Sequence, residues 1–208
     1  MRFYLIAAIA LTVFAEPAFS GDADRGRMVA SQAGCPACHG PSGISGDPMV
    51  PNLAGQTESY LSQQLRRFRA PPSDELAATW APHRSDHTMN AKAGALSDHD
   101  VDDLAAHYSA LPCGGPVSGP EPAALDSAPA CLWCHESEDK RRQMHAPLLF
   151  GQKRDYLARQ LRLLRAAARG HHGLEADRGH PDMNPQAVRL TIQEIDKLAD
   201  YLSKRNCR

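Results

Sequence analysis

Two copies of one five-residue pattern, Cys35-Pro36-Ala37-Cys38-His39 and Cys131-Leu132-Trp133-Cys134-His135, constrain this chain more than any other feature. Cys-x-x-Cys-His is the attachment signal for c-type haem. Thiols two residues apart can form thioether bonds to both vinyl carbons of one porphyrin. The following His then reaches the iron from one side. A bare Cys-x-x-Cys also suits a redox dithiol or half a zinc site, but the adjacent His and the repetition argue against both. The expected cofactors are two covalently bound haem c groups, held by Cys35, Cys38, Cys131 and Cys134, with His39 and His135 as iron ligands.

The surrounding sequence repeats as well. At the 96-residue offset that separates the two motifs, Pro51-Asn52-Leu53-Ala54-Gly55-Gln56 answers Pro147-Leu148-Leu149-Phe150-Gly151-Gln152. Tyr60-Leu61 answers Tyr156-Leu157, and Gln64-Leu65-Arg66 answers Gln160-Leu161-Arg162. Further on the offset is 94: Met89-Asn90 answers Met183-Asn184, Leu96 answers Leu190, and Leu104 answers Leu198. One haem motif per repeat implies one haem domain per repeat. The stretch from Pro112 to Pro129 is rich in Pro, Gly, Ser and Ala and reads as an exposed joint. The expected division is a leader at 1–20, a first domain at 21–113, a linker at 114–127 and a second domain at 128–208.

Arg2 followed by the apolar run Phe3 to Ala15 is short for a membrane span and has the form of a secretory leader, with an uncleaved anchor as the alternative. Glu16-Pro17 ends the run, and Ala18-Phe19-Ser20 supplies small residues for cleavage after Ser20. No later stretch is apolar enough to cross a bilayer. The expectation is an exported, periplasmic protein without a membrane span. The net charge of −1 says little. Its distribution says more: residues 21–115 hold 11 acidic and 7 basic side chains, and residues 116–208 hold 12 and 15. Such asymmetry can orient a molecule approaching a charged partner.

Both copies read as all-α. Asp22 or Asp24 caps a helix running through Met28, Val29 and Ala33 into the first motif. Pro129 leaves the corresponding lead-in of the second copy stunted. Tyr60, Leu61, Gln64, Leu65 and Phe68 mark a second helix, and Tyr156, Leu157, Leu161 and Leu164 mark its counterpart. Ser97-Asp98-His99-Asp100 caps a last helix that buries Val101, Leu104 and Tyr108. Thr191 with Glu194 forms a capping box for its counterpart, burying Ile195, Leu198 and Leu202. Neither copy shows a strand pattern.

Each iron needs a ligand on its second face. Met89 and Met183 occupy matching positions before the last helix of each copy, and a soft thioether favours reduced iron and a high potential. His83 and His87 are rivals at the first iron and His180 at the second. Met49 and Met144 lie too close to the motifs to reach the opposite face easily. Four of the six cysteines are assigned to haem. The other two, Cys113 and Cys207, are expected to form a disulfide tying the domains together; two free thiols or a bond to a second molecule are the alternatives. Arg159, Arg162, Arg165 and Arg169 share a helix face and are expected either to dock an acidic partner or simply to be solvated.

With Gly40 and Gly43 after the first motif, Pro51 to Gln56, Tyr60 to Leu65, Met89, and Leu96-Ser97-Asp98 leading into Leu104-Ala105-Ala106-His107-Tyr108, the chain resembles the dihaem cytochrome c4 family over nearly all of its length after residue 20. The resemblance implies two class I cytochrome c domains about a pseudo-twofold axis, two His/Met haems and electron delivery to a terminal oxidase. It also implies that Pro51 and Pro147 pack beside the haems and steady the proximal histidines. Glu136-Ser137-Glu138-Asp139 departs from the Gly-rich segment of the family, and the loop from Ala70 to Thr88 is longer. No catalytic constellation is visible. The function expected is an electron carrier between redox proteins, donor and acceptor cytochromes or an oxidase, with no nucleic-acid partner. The second reading is a dihaem subunit accepting electrons from a periplasmic dehydrogenase, such as a flavoprotein acting on reduced sulfur compounds. The third is a haem enzyme, a peroxidase or thiosulfate dehydrogenase, which needs an iron with an open or displaceable distal site.

Overall fold

The computed structural model describes residues 21–69, 83–114, 125–126, 128–173 and 176–207. The proposed leader at 1–20, most of the linker, and the part of the long loop that holds Trp80 lie outside the described residues. The first copy contains α1 (Ala23–Ala33), α2 (Pro36–His39), α3 (Glu58–Arg69), β1 (His83–Asp86), α4 (His87–Gly94) and α5 (Asp98–Ala110). The second contains α6 (Pro129–His135), α7 (Glu138–Met144), α8 (Arg154–Ala167), β2 (Ala176–Gly179), α9 (Asn184–Ala187) and α10 (Ile192–Lys204).

Local chemistry places most of these helices. The Asp22 carboxylate accepts from the amides of Asp24 and Arg25, starting α1. Gly34, at φ 73°, ends it in the left-handed region and turns the chain into the first motif. Both last helices begin with the expected reciprocal capping boxes, Ser97 with Asp100 and Thr191 with Glu194.

In the first copy α1 lies against α5, with Ala30, Leu61, Leu104, Ala105 and Tyr108 in one core. Gly26 permits the close approach of these two helices, because a Cβ there would lie 2.0 Å from the Asp103 carbonyl oxygen. Asp103, 1% exposed, pairs with Arg25 and accepts from the Asp22 amide at 2.8 Å. The Arg25 guanidinium holds its carboxyl below the usual carboxylate range. A depressed folded value means that this contribution is present above the ordinary Asp range near 3.9 and is lost as pH falls through the lowered value. Thermal midpoints measured downward from about pH 5 should therefore fall for the native protein and fall less steeply for Asp103→Asn.

The second copy packs Leu148, Phe150, Leu157, Ala158, Ile195, Ala199 and Leu202 between α8 and α10. α6 begins at Pro129 with no side-chain cap, and most of the lead-in expected to be stunted lies outside the described residues. The acidic departure after the motif starts a helix instead. Ser137 caps α7, and Arg141 on it is 4% exposed. Its guanidinium donates to the His135 carbonyl at 3.3 Å and to the Glu136 carbonyl. A cation is thereby placed at the carbonyl end of the helix that bears His135.

The expectation of no strands is corrected. β1 and β2 form a two-stranded antiparallel sheet, with Arg84 opposite Arg178 and Asp86 opposite Ala176. Each copy contributes one strand, so the pairing exists only where the copies face each other. The same pseudo-twofold governs other contacts. Gln56 donates to the Leu148 carbonyl at 2.6 Å and accepts from its amide at 2.9 Å. Its counterpart Gln152 donates to the Asn52 carbonyl at 2.9 Å and accepts from the Asn52 amide at 2.8 Å. Cys113 and Cys207 are disulfide-bonded with Cα atoms 6.1 Å apart, closing the expected bridge within one chain. Because the glutamines satisfy buried backbone groups, Gln56→Ala should cost about 1–3 kcal/mol in denaturant unfolding, and Gln152→Ala a similar amount. A loss under 0.5 kcal/mol at both positions would show that water replaces these bonds.

The arginines expected to share a face of α8 differ in their surroundings. Arg159 approaches Asp86 at 3.5 Å, and Arg162 pairs with Asp196 at 2.6 Å. The Arg165 Nε is buried. Arg162 remains exposed despite its pairing with Asp196, as does Arg169, just beyond the helix.

Candidate functional site

Both Cys-x-x-Cys-His motifs open on one continuous cavity of about 1250 Å³ between the copies. That exceeds the roughly 300–1,000 Å³ of a single small-molecule site. Cys35, Cys38, His39 and Met89 line it from the first copy, and Cys131, Cys134, His135 and Met183 line it from the second. The walls are largely apolar: Leu61, Leu65, Phe68 and Leu104 on one side, Leu157, Leu161, Leu164 and Leu198 on the other. The four motif cysteines are not disulfide-bonded.

The motif histidines are held alike. The Nδ1 of His39 donates to the Pro51 carbonyl at 3.0 Å, and that of His135 to the Pro147 carbonyl at 2.9 Å. A carbonyl can only accept, so Nδ1 carries the proton and Nε2 keeps its lone pair for a metal. Burial lowers both imidazole pKa values and so favours this neutral form. The role expected of Pro51 and Pro147 thus belongs to their carbonyls.

The methionine segments also repeat. Asn90 Oδ1 accepts from the Asp86 amide at 2.7 Å, and Asn184 Oδ1 accepts from the His180 amide at 3.0 Å. The Asn after each Met therefore fixes the turn that precedes it. Of the rival ligands, His87 is exposed and outside the cavity lining. The side chain of His83 lies outside the described residues. His180 lines the cavity, but its Nδ1 accepts from the Asp182 amide at 3.2 Å. That tautomer places its proton on Nε2. Burial, with Arg67 adding to it, pulls His180 down to about 4. Met49, Met144 and Trp133 also line the cavity, at its exposed rim, with Trp133 64% exposed. Among the described residues no group of three His, Cys, Asp or Glu is arranged to hold a metal ion.

The sequence reading missed the polar rib across the cavity. Arg84, 7% exposed, donates to Gln64 Oε1 at 2.8 Å and, across the copies, to the Tyr156 hydroxyl at 2.6 Å. Its strand partner Arg178 donates to Gln160 Oε1 at 2.6 Å and to the Tyr60 hydroxyl at 3.1 Å. Arg67 stands nearby, its guanidinium pulled down to about 10 chiefly by burial. No carboxylate lies in ion-pair range of Arg84 or Arg178 among the described residues. Gln64 Nε2 is buried without a hydrogen-bond partner. Two thiol pairs, two bare imidazole nitrogens, two thioethers, apolar walls and a cationic rib fit a pair of porphyrins with ionised carboxylates.

Comparison with known proteins points the same way. Residues 23–111 match the profile of the family described as Cytochrome c. The chain is 31% identical to the cytochrome c4 of Azotobacter vinelandii over 95% of both chains. It is also 31% identical to a protein of Thiomonas intermedia (strain K12) named thiosulfate dehydrogenase electron acceptor, over 82% of this chain and 78% of that one. Among solved structures, reduced recombinant cytochrome c4 from Pseudomonas stutzeri superposes with a TM-score of 0.69 at 27% identity, covering 90% of this chain and all of that one.

Proposed function

Because the chain belongs to the cytochrome c4 family, we propose that it is a soluble periplasmic carrier delivering electrons to a terminal oxidase or another respiratory acceptor. It is a dihaem electron-transfer protein with two covalently bound haem c groups. Bound haem supplies an iron that takes up and gives back one electron, ferric to ferrous and back. The chain's part is to hold and saturate each iron. Cys35 and Cys38, and Cys131 and Cys134, would form the thioether attachments. His39 and His135 would ligate iron through Nε2, and Met89 and Met183 would each supply the second ligand. Such saturation lets an electron enter and leave with little rearrangement, which suits a carrier better than an enzyme. The observation that carries the reading is the single cavity into which both motifs and both methionines open. The apolar run and cleavage pattern at 1–20 support export, as does covalent haem attachment. No helix among the described residues is long and apolar enough to cross a membrane.

A second reading has its own support in the Thiomonas relative named as an electron acceptor of thiosulfate dehydrogenase: this chain would accept electrons from a periplasmic dehydrogenase, with a flavoprotein among the candidates. Two rates distinguish the readings. Reduced protein mixed with oxidase-containing membranes should be reoxidised in a cyanide-sensitive step that sustains oxygen uptake. No reoxidation there, with fast reduction by a purified thiosulfate dehydrogenase or flavoprotein dehydrogenase and its substrate, would favour the second reading.

A further inference from the structure

Arg84 and Arg178 stand opposite each other in the only sheet among the described residues. Residues directly opposite in an antiparallel pair project to the same face, and both side chains line the cavity. Two guanidinium groups at such a site, with Arg67 as a third cation, repel one another in a medium of low dielectric. Buried charges of this kind are found paired, yet their partners here are hydroxyls and amide oxygens. Gln64 adds a buried donor without an acceptor. The missing element is anionic. The carboxylates of the two haems are the anions that the family's cofactor brings into this cavity. Each arginine is also bound twice, once by the glutamine of its own copy and once by the tyrosine of the other. Neither copy alone fixes its own arginine.

We propose that Arg84 and Arg178 are positioning residues for the haem carboxylates, and that their tyrosine clamps across the two copies couple the potentials of the two haems. The proposal rests on the dihaem reading above. A nearby cation favours the reduced iron, and removing it also leaves a carboxylate uncompensated. Loss of either arginine therefore lowers the potential. Because each arginine lies on the shared rib, the fall extends to both haems.

The experiment is a spectroelectrochemical titration of holoprotein whose two-haem content has first been established by intact mass. Fewer than two haems in the unsubstituted protein would refute the dihaem reading itself. With two haems present, Arg84→Gln should shift both one-electron midpoints downward, the larger change reaching about tenfold in the oxidised-to-reduced ratio, which is about 59 mV. Arg178→Gln should do the same with the larger change on the other haem. Arg84→Lys, which keeps the charge, should recover most of the shift. Tyr156→Phe keeps every charge and cuts only the clamp, and should move both midpoints by a smaller amount. A shift confined to one midpoint, or none in either, overturns the proposal. If Arg84→Gln yields no holoprotein, Arg84→Lys and Tyr156→Phe decide alone, and unchanged midpoints in Tyr156→Phe count against the coupling.

Discussion

Met89→Ala is expected to remove about half of the near-infrared sulfur-to-iron charge-transfer absorbance of the oxidised protein, because under the proposed His/Met ligation one of two irons loses its thioether. The potential of that haem should fall well below its partner's, since the soft sulfur that favoured ferrous iron is gone. Met183→Ala should remove the other half. The expectation follows from placement: each Met lines the shared cavity, each is followed by an Asn that pins the preceding turn, and the two sit at one offset. His87 lies outside the cavity lining, and His180 has its Nδ1 occupied by the Asp182 amide. If the band survives Met89→Ala intact, Met89 is not a ligand. Loss of both halves in one substitution would mean that the two sites fold together, and potentials measured on the remaining haem would show it.

Removing the Cys113–Cys207 bridge should produce the largest loss of stability in this chain. The bond joins residues 94 apart, each just beyond the last helix of its copy. Closing a loop of that size restricts the unfolded chain by about 4–5 kcal/mol in the chain-entropy account. It also holds the two ends beside the cavity-forming segments: Cys113 and Cys207 pack on the second copy's core, and a Cβ at Gly55 would lie 2.6 Å from the Cys113 Cβ. The double substitution Cys113→Ser, Cys207→Ser should therefore lower the unfolding free energy in guanidinium by several kcal/mol. Thiol labelling of the unreduced, denatured native protein should modify neither cysteine. A loss below 1 kcal/mol would mean that the interface glutamines and the sheet already hold the copies together in the unbridged chain.

Much of this architecture is legible in the sequence because it rests on local rules or on the repeat. The capping boxes at Ser97 and Thr191 need only residues three positions apart. The paired motifs, the paired methionines and the leftover cysteines follow from offset and count. The sheet is not legible in this way. His83-Arg84-Ser85-Asp86 and Ala176-Asp177-Arg178-Gly179 have no alternating apolar residues, and they pair only because other contacts bring the copies face to face. Nothing local in the sequence singles out Arg84 and Arg178, for the same reason. Their shared offset with Met89 and Met183, 94 residues, was the available signal. Arg141 gave less warning, since its partners are backbone carbonyls near the second motif. Helical spacing groups Arg159, Arg162 and Arg165 on α8, but the partners Asp86 and Asp196 of the first two are distant in sequence and not legible from it.

The central claim is that one chain holds two attached, six-coordinate haems in a cavity shared by both repeats. Coulometric reduction of purified protein, combined with intact mass, tests it most directly. The expected result is a mass exceeding the mature polypeptide by two haems, uptake of two electrons per chain, and no binding of carbon monoxide by the reduced protein. One haem, one electron per chain, or carbon monoxide bound at either iron would contradict it.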